Sequence, residues 1–271
     1  MGLFNWKKKK QEAQTTEAAP EKKGKGTFVS FVLLEENSYD LKALAARLKE
    51  DWNIILDEAD VDDEKGVIAA EVEGMMVAVS VMGAPVPHEE VIANARTNYA
   101  WKEAVSVAEK HQDHVMVAVL GRDKPLLDAG KLLVKLLSSA AKGEHVTGLN
   151  TLGSVLHPLA YSEMAEMAVK ADQYPVMNLI FVDLYSRDEG ETYSGYTYGM
   201  EVFGKDDIEV IDSTQGREQL YSFLYDIAGY VILYDAILKD GETIGFTAEQ
   251  KLQITYSDGV ALGEKTIKIA Y

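Results

Sequence analysis

Two histidines stand three residues apart in the stretch EKHQDHV, His111 and His114, with Asp113 between them. On one helical turn, joined by a carboxylate from elsewhere, such a pair could ligate zinc and support hydrolysis. The spacing departs from H-E-x-x-H, because it lacks both the i, i+4 geometry and the catalytic glutamate. A structural reading stands beside it: His111 ends a helix and complements its dipole, and His114 opens a strand. His88, His145 and His157 lie near Pro or Gly turns without a visible partner.

Other chemistries can be tested against their residue requirements. The run DEADVDDEKG places Asp60, Asp62 and Glu64 at alternating positions, yet residue 65 is lysine where a calcium loop needs glycine. It reads as a solvated acidic hairpin loop. The stretch GRDKPLLDAGK ends in Gly130-Lys131, but Pro125 and Leu132 replace the glycine and hydroxyl of a phosphate-binding loop. Ser154 in LGSVL is followed by Val155 and Leu156, which is not a nucleophile elbow. Cysteine is absent, so disulfides, thiolate metal sites and cysteine nucleophiles are excluded. No metal site and no cofactor are expected.

A second kind of candidate is aromatic. Tyr193, Tyr196 and Tyr198 precede a glycine- and carboxylate-rich stretch, and Tyr221 and Tyr225 stand at i, i+4 spacing downstream. Tyrosine is favoured at interfaces, so these five are candidates for a contact surface. They could equally line a junction between a sheet and a helix. The stretch GYTYGMEVFGKDDIEVIDS reads as a β-hairpin: Tyr196, Tyr198, Met200 and Val202 share one face, GKDD turns the chain, and Asp212, Ser213 and Thr214 cap the next helix.

The elements that must position these residues follow from periodicity. Phe28–Leu34 is a continuous apolar run, expected as a central strand buried on both faces. Ser38 is expected to cap a helix carrying Leu41, Leu44, Ala45, Leu48 and Trp52. NIILDEA, GVIAAEV and MMVAVSVM read as strands, the last two turning at Glu73-Gly74. Val91 to Lys110 carries one helical period, HVMVAVL a strand, KPLLDAGKLLVKLLSSAAKG the clearest helix, Leu159 to Lys170 another helix, and VMNLIFVDLY a strand. REQLYSFLYDIAGYVI is a core-facing helix, and short strands separated by Asp240-Gly241 and Asp258-Gly259 close the chain. A boundary is expected between Gly148 and Pro158, where Gly, Asn and Ser cluster.

Charge bounds the partners. The 271-residue chain carries a net charge of −17, while residues 1–25 hold seven lysines and three glutamates. The remainder is therefore strongly acidic and repels phosphate backbones, which argues against nucleic-acid binding and for a basic protein partner. No apolar run spans a bilayer and no signal peptide is read, so a cytoplasmic protein without stable membrane insertion is expected. Residues 1–26 read as a disordered basic tail; Leu3, Phe4 and Trp6 beside Lys7 to Lys10 suggest at most weak surface contact with anionic lipid by residues 1–10.

The motifs YTYGMEVFGKDDIEVIDS, LYSFLYDIAGYVI, LKDGETIGFTAEQKLQITYSDG and KTIKIAY, in that order, resemble a bacterial family catalogued as domain of unknown function 4261. The resemblance runs from about Tyr193 to Tyr271. NARTNYAWKEAVSVAEKHQDHVMVAVLG resembles the region that commonly precedes it, with Trp101 and His114 at recurring positions. It implies a bacterial cytosolic setting and carries no activity, cofactor or catalytic residues.

The combined expectation is an α+β protein with mixed, largely antiparallel sheets covered by helices, in two α/β lobes of residues 27–150 and 155–271. Its expected role is non-catalytic binding or regulation through protein contacts, immunity-type being one form, with Tyr193, Tyr196, Tyr198, Tyr221, Tyr225, Trp101 and His114 as contact residues. The alternative is a hydrolase with a site between the lobes built on His111, His114 and carboxylates. Oligomeric state is not read from the sequence.

Overall fold

Thr27–Leu34 forms β1, the strand that organises the first half of the chain: antiparallel β5 (Asp113–Leu120) lies on one side and antiparallel β6 (Val146–Thr151) on the other. The computed structural model describes residues 25–121, 123–247 and 249–271. The tail read over residues 1–26, with its lipid contact, falls outside the described residues up to residue 24. β1 alternates between exposed and buried positions over its first half and is buried throughout only from Val32 to Leu34, because only there do helices cover both faces.

Around β1 the sheet is completed by β2 (Val61–Asp62), β3 (Val67–Val72), β4 (Met75–Val81) and β7 (Ser154–Leu156), in the order β2-β3-β4-β5-β1-β6-β7, antiparallel throughout. β3 and β4 turn at Glu73-Gly74, where both residues have positive φ, the geometry that suits the twist of a hairpin. The Gly148–Pro158 stretch lies within the β6-β7 hairpin and the start of the following helix.

Helix α1 (Leu41–Trp52) buries Leu41, Leu44 and Leu48 in the main apolar cluster. Its cap is Asp40 rather than Ser38: the Asp40 carboxylate accepts from the Ala43 N–H at 2.8 Å. NIILDEA is not a strand. Asn53 adopts a left-handed conformation, its amide and that of Ile54 bond back to the end of α1, and a 3-10 turn follows at Glu58–Asp60.

The single helix expected over Val91–Lys110 is two, α2 (His88–Thr97) and α3 (Ala104–Lys110). Asn98 breaks the period, since its side-chain oxygen accepts from the amides of Ala100 and Trp101 and so competes with helical bonding. Both helices pack over Leu33, Val86 and Val155 on one face of the sheet. Helix α4 (Leu126–Ala140) covers the opposite face and is buried almost all round. Gly130 explains how: a Cβ there would fall 2.6 Å from the Tyr174 hydroxyl and 3.4 Å from Phe203, so this helix touches the second half of the chain as closely as the first.

α5 (Pro158–Lys170) leads to the second sheet, of order β11-β12-β13-β10-β9-β8. Its strands are β8 (Phe181–Tyr185), β9 (Tyr193–Tyr198), β10 (Ile208–Ser213), β11 (Thr243–Ile244), β12 (Leu252–Asp258) and β13 (Lys265–Ile269); β10 and β13 are parallel and the other pairs antiparallel. Helix α6 (Arg217–Leu233) lies on it through Leu220, Phe223, Leu224, Ile227 and Val231. The architecture is α+β, with two mostly antiparallel sheets.

Three readings in this half are corrected. VMNLIFVDLY is strand only from Phe181, because a 3-10 turn at Val176–Asn178 is held by Asn178, whose amide donates to the Tyr161 carbonyl. The alternation beyond Tyr198 does not exist: Gly199 at φ 107° ends the strand and Met200–Phe203 coils inward, burying Met200 and Phe203. α6 is preceded by Gly216, not capped by Asp212, Ser213 or Thr214; Asp212 is held by Arg187 and Ser194 instead.

One apolar cluster runs through both halves, from Val32 and Val117 through Leu133 and Leu137 of α4 to Leu179, Phe203 and Leu224. The Phe28 and Phe203 rings meet edge-on at 5.4 Å, and the Gly26 amide donates to the Val202 carbonyl at 2.9 Å. Among the described residues no helix is long and apolar enough to cross a membrane.

Candidate functional site

The break between α2 and α3 turns Tyr99 and Trp101 outward, towards α5, β8 and α6. There they line a cavity of about 340 Å³ together with Leu156, Tyr161, Phe181, Tyr221 and Tyr225. Trp101 meets the His157 ring edge-on at 5.2 Å, and Tyr221 meets Tyr225 at 4.9 Å. At the mouth the Arg217 guanidinium lies 4.4 Å from the Tyr99 ring centroid, a cation–π contact that ties α6 to the α2-α3 connection. The wall is aromatic and apolar, with tyrosine hydroxyls, Asn98 and His157 as its polar groups. Burial raises both the Tyr221 and the Tyr225 phenols above their usual value, so both stay protonated donors.

Of the seven residues read as a contact surface, three therefore converge: Trp101, Tyr221 and Tyr225. Tyr196 is elsewhere and donates to Asp183 at 3.0 Å. Burial raises the Asp183 carboxyl even though the Tyr196 hydroxyl and the Leu184 amide favour its ionised form. Tyr193, at the start of β9, is half-buried against the main core. Tyr198 is 42% exposed and lines a different, polar cavity.

His114 is buried on β5; its Nδ1–H donates to the Ala84 carbonyl at 2.6 Å, and the ring meets Phe31 edge-on. His111 ends α3, where Nδ1–H donates to the Ala108 carbonyl at 2.6 Å and Nε2 accepts from the Val86 amide at 2.9 Å. Asp113 Oδ1 accepts from the amides of Ala84 and His114. All three side chains thus hold the Gly83–Val86 loop to the first sheet, and none lines the aromatic cavity between the sheets. Among the described residues no group of three histidines or carboxylates is placed to hold a metal ion.

The family comparison reaches the second sheet. The model described as Domain of unknown function (DUF4261) matches residues 196–270. No curated protein and no solved structure matches the chain. The DUF4261 segment supplies Tyr221 and Tyr225 to the aromatic cavity, while Tyr99, Trp101 and Tyr161 come from the preceding part of the chain.

Two features of the DUF4261 segment were invisible as chemistry in the sequence. Glu209 is fully buried on β10, where its carboxylate accepts from the amides of Val260 and Ala261 at 2.8–3.0 Å and from Thr266 Oγ1 at 2.9 Å, with Lys268 Nζ at 3.3 Å. Burial alone would raise its pKa, but these donors prevail and hold it below the usual range. Asp207, read as part of the GKDD hairpin turn, accepts from Thr197 Oγ1 at 2.9 Å and from the Met200 amide, and burial pushes its carboxyl up to about 7. The run of acidic residues in GKDDIE was the only signal; it could not show which carboxylates turn inward.

Proposed function

We propose that the protein is a non-catalytic binding protein that takes hold of a partner protein by an apolar anchor side chain. The observation that carries this reading is the aromatic cavity between the sheets, about 340 Å³, assembled from Trp101, Tyr99, Tyr161, Tyr221 and Tyr225. Aromatic-lined pockets with a few polar groups are the usual seat of binding hot spots. The lining residues Tyr99 and Met177, and Leu159 on α5 beside His157, are all more than 40% exposed, which suits a protein face better than a small enclosed ligand. The net charge of −17 favours a basic partner through electrostatic steering. A bacterial cytosolic binding factor, an immunity-type protein among the forms it could take, is consistent with this chemistry.

A photoreactive amino acid placed at Met164, in the cavity wall, tests the reading in cells that make the protein. One discrete adduct with a basic protein is expected from Met164, lost when Trp101→Ala is added, and absent when the probe sits at Lys42 on α1. No adduct at Met164, or the same adduct from Lys42, overturns it.

A further inference from the structure

A second cavity, of about 520 Å³, opens between the Gly199–Asp207 connection and the β12-β13 hairpin, wholly inside the DUF4261 segment. Tyr198 and Tyr256, each 42% exposed, line it with Glu201, Asp207 and Glu264. Two lysines also reach it and both are engaged. Lys205 Nζ sits on Asp235 and the Ala236 carbonyl, and the Lys265 ammonium lies 5.9 Å from the Tyr256 ring centroid, so one of these aromatic faces already carries a cation.

We propose that this cleft binds an organic cation, an alkylammonium or guanidinium group, against the tyrosine rings with Asp207 as its counter-charge. Three observations support it. Asp207 is largely withdrawn from water, takes hydrogen bonds only from a hydroxyl and backbone amides, and forms no ion pair among the described residues. A carboxylate in that setting lacks the cation that would stabilise its charge. The space is far larger than a metal ion needs, and no metal-ligating cluster is present among the described residues, whereas tyrosine faces beside carboxylates suit a bulky organic cation.

The charged groups around Asp207 are Glu201 and Asp206 on its own connection, Lys205 beside it, and Glu264 and Lys265 on the hairpin. Asp206 is engaged with the Tyr256 hydroxyl, and Glu201 adds to the burial that raises the Asp207 carboxyl to about 7. A bound cation favours the ionised form, so affinity rises with pH across neutrality.

Isothermal titration of the full chain with spermidine, N-acetylargininamide and the uncharged N-acetylcitrullinamide tests the assignment. At least one of the two cations is expected to bind at pH 8, more weakly at pH 6, and the citrulline compound not at all. Asp207→Asn should weaken binding by about tenfold or more, and Tyr256→Ala, on an exposed strand face, severalfold. Asp63→Asn, on the distant acidic loop, should change it by less than about twofold. Preference for spermidine would identify a free polyamine as the source, and preference for the arginine compound a basic side chain of a partner. Binding of neither cation, equal binding of citrulline, or unchanged affinity in Asp207→Asn and Tyr256→Ala overturns the proposal.

Discussion

Glu209 shows how a single buried charge can organise a loop. Its carboxylate gathers the amides of Val260 and Ala261, the Thr266 hydroxyl and the Lys268 ammonium, and so ties β10 to the β12-β13 hairpin. Removing the carboxylate leaves several buried donors unpaired and an ammonium without its counter-ion. Glu209→Ala is expected to lower the unfolding free energy by about 3 kcal/mol, and Glu209→Gln by less because the amide oxygen still accepts. Urea denaturation followed by circular dichroism measures both. The sequence showed Glu209 only as one of many carboxylates; its neighbours lie more than fifty positions away, and periodicity carries no record of such partners.

At the scale of elements, the Gly83–Val86 loop is latched by side chains that occur close together in the sequence. His111 Nε2 accepts from the Val86 amide, which requires a neutral ring, and burial lowers its pKa below the ordinary value, helped by the nearby His88 and His114 rings. The folded value lies below the unfolded one of about 6.5, so stability from this latch is complete above that pH and declines as pH falls through the window beneath it. Acidification from pH 7.5 to 5.5 should therefore destabilise the wild type more than His111→Gln, read as the shift in urea midpoint. The same elements show where local pattern suffices. α1, α4, α5, α6, β3, β4 and β5 follow their hydrophobic periods because each buries a face on a sheet or helix. The failures have specific local causes. Asn98 and Asn53 divert amides that a helix or strand would have used, and Gly199 at φ 107° stops β9 where alternation would have carried it on.

At the scale of the molecule, the two sheets share α4 and one continuous apolar cluster. Heating should then melt them together. Tryptophan fluorescence, whose described reporters Trp52 and Trp101 both belong to the first half, and far-ultraviolet circular dichroism, which sees both halves, are expected to give one coincident transition, with calorimetric and van't Hoff enthalpies equal. Two separated transitions would show that the lobes unfold independently. The aromatic cavity belongs to this scale as well, since Trp101 and Tyr225 line one cavity only when the sheets are brought together.

Composition and local pattern were enough for the α+β class, the absence of cysteine chemistry, the net negative charge and the resemblance matched over residues 196–270, because each depends on residue type or on neighbours a few positions apart. Tertiary structure alone decided that His111 and His114 serve a loop, that Trp101 joins Tyr221 and Tyr225 while Tyr193, Tyr196 and Tyr198 part from them, and that Asp207 and Glu209 turn inward. Each of those outcomes depends on contacts between distant segments and on burial. A side chain's partners and its distance from water are set by how the sheets and helices pack, which no spacing along the chain records.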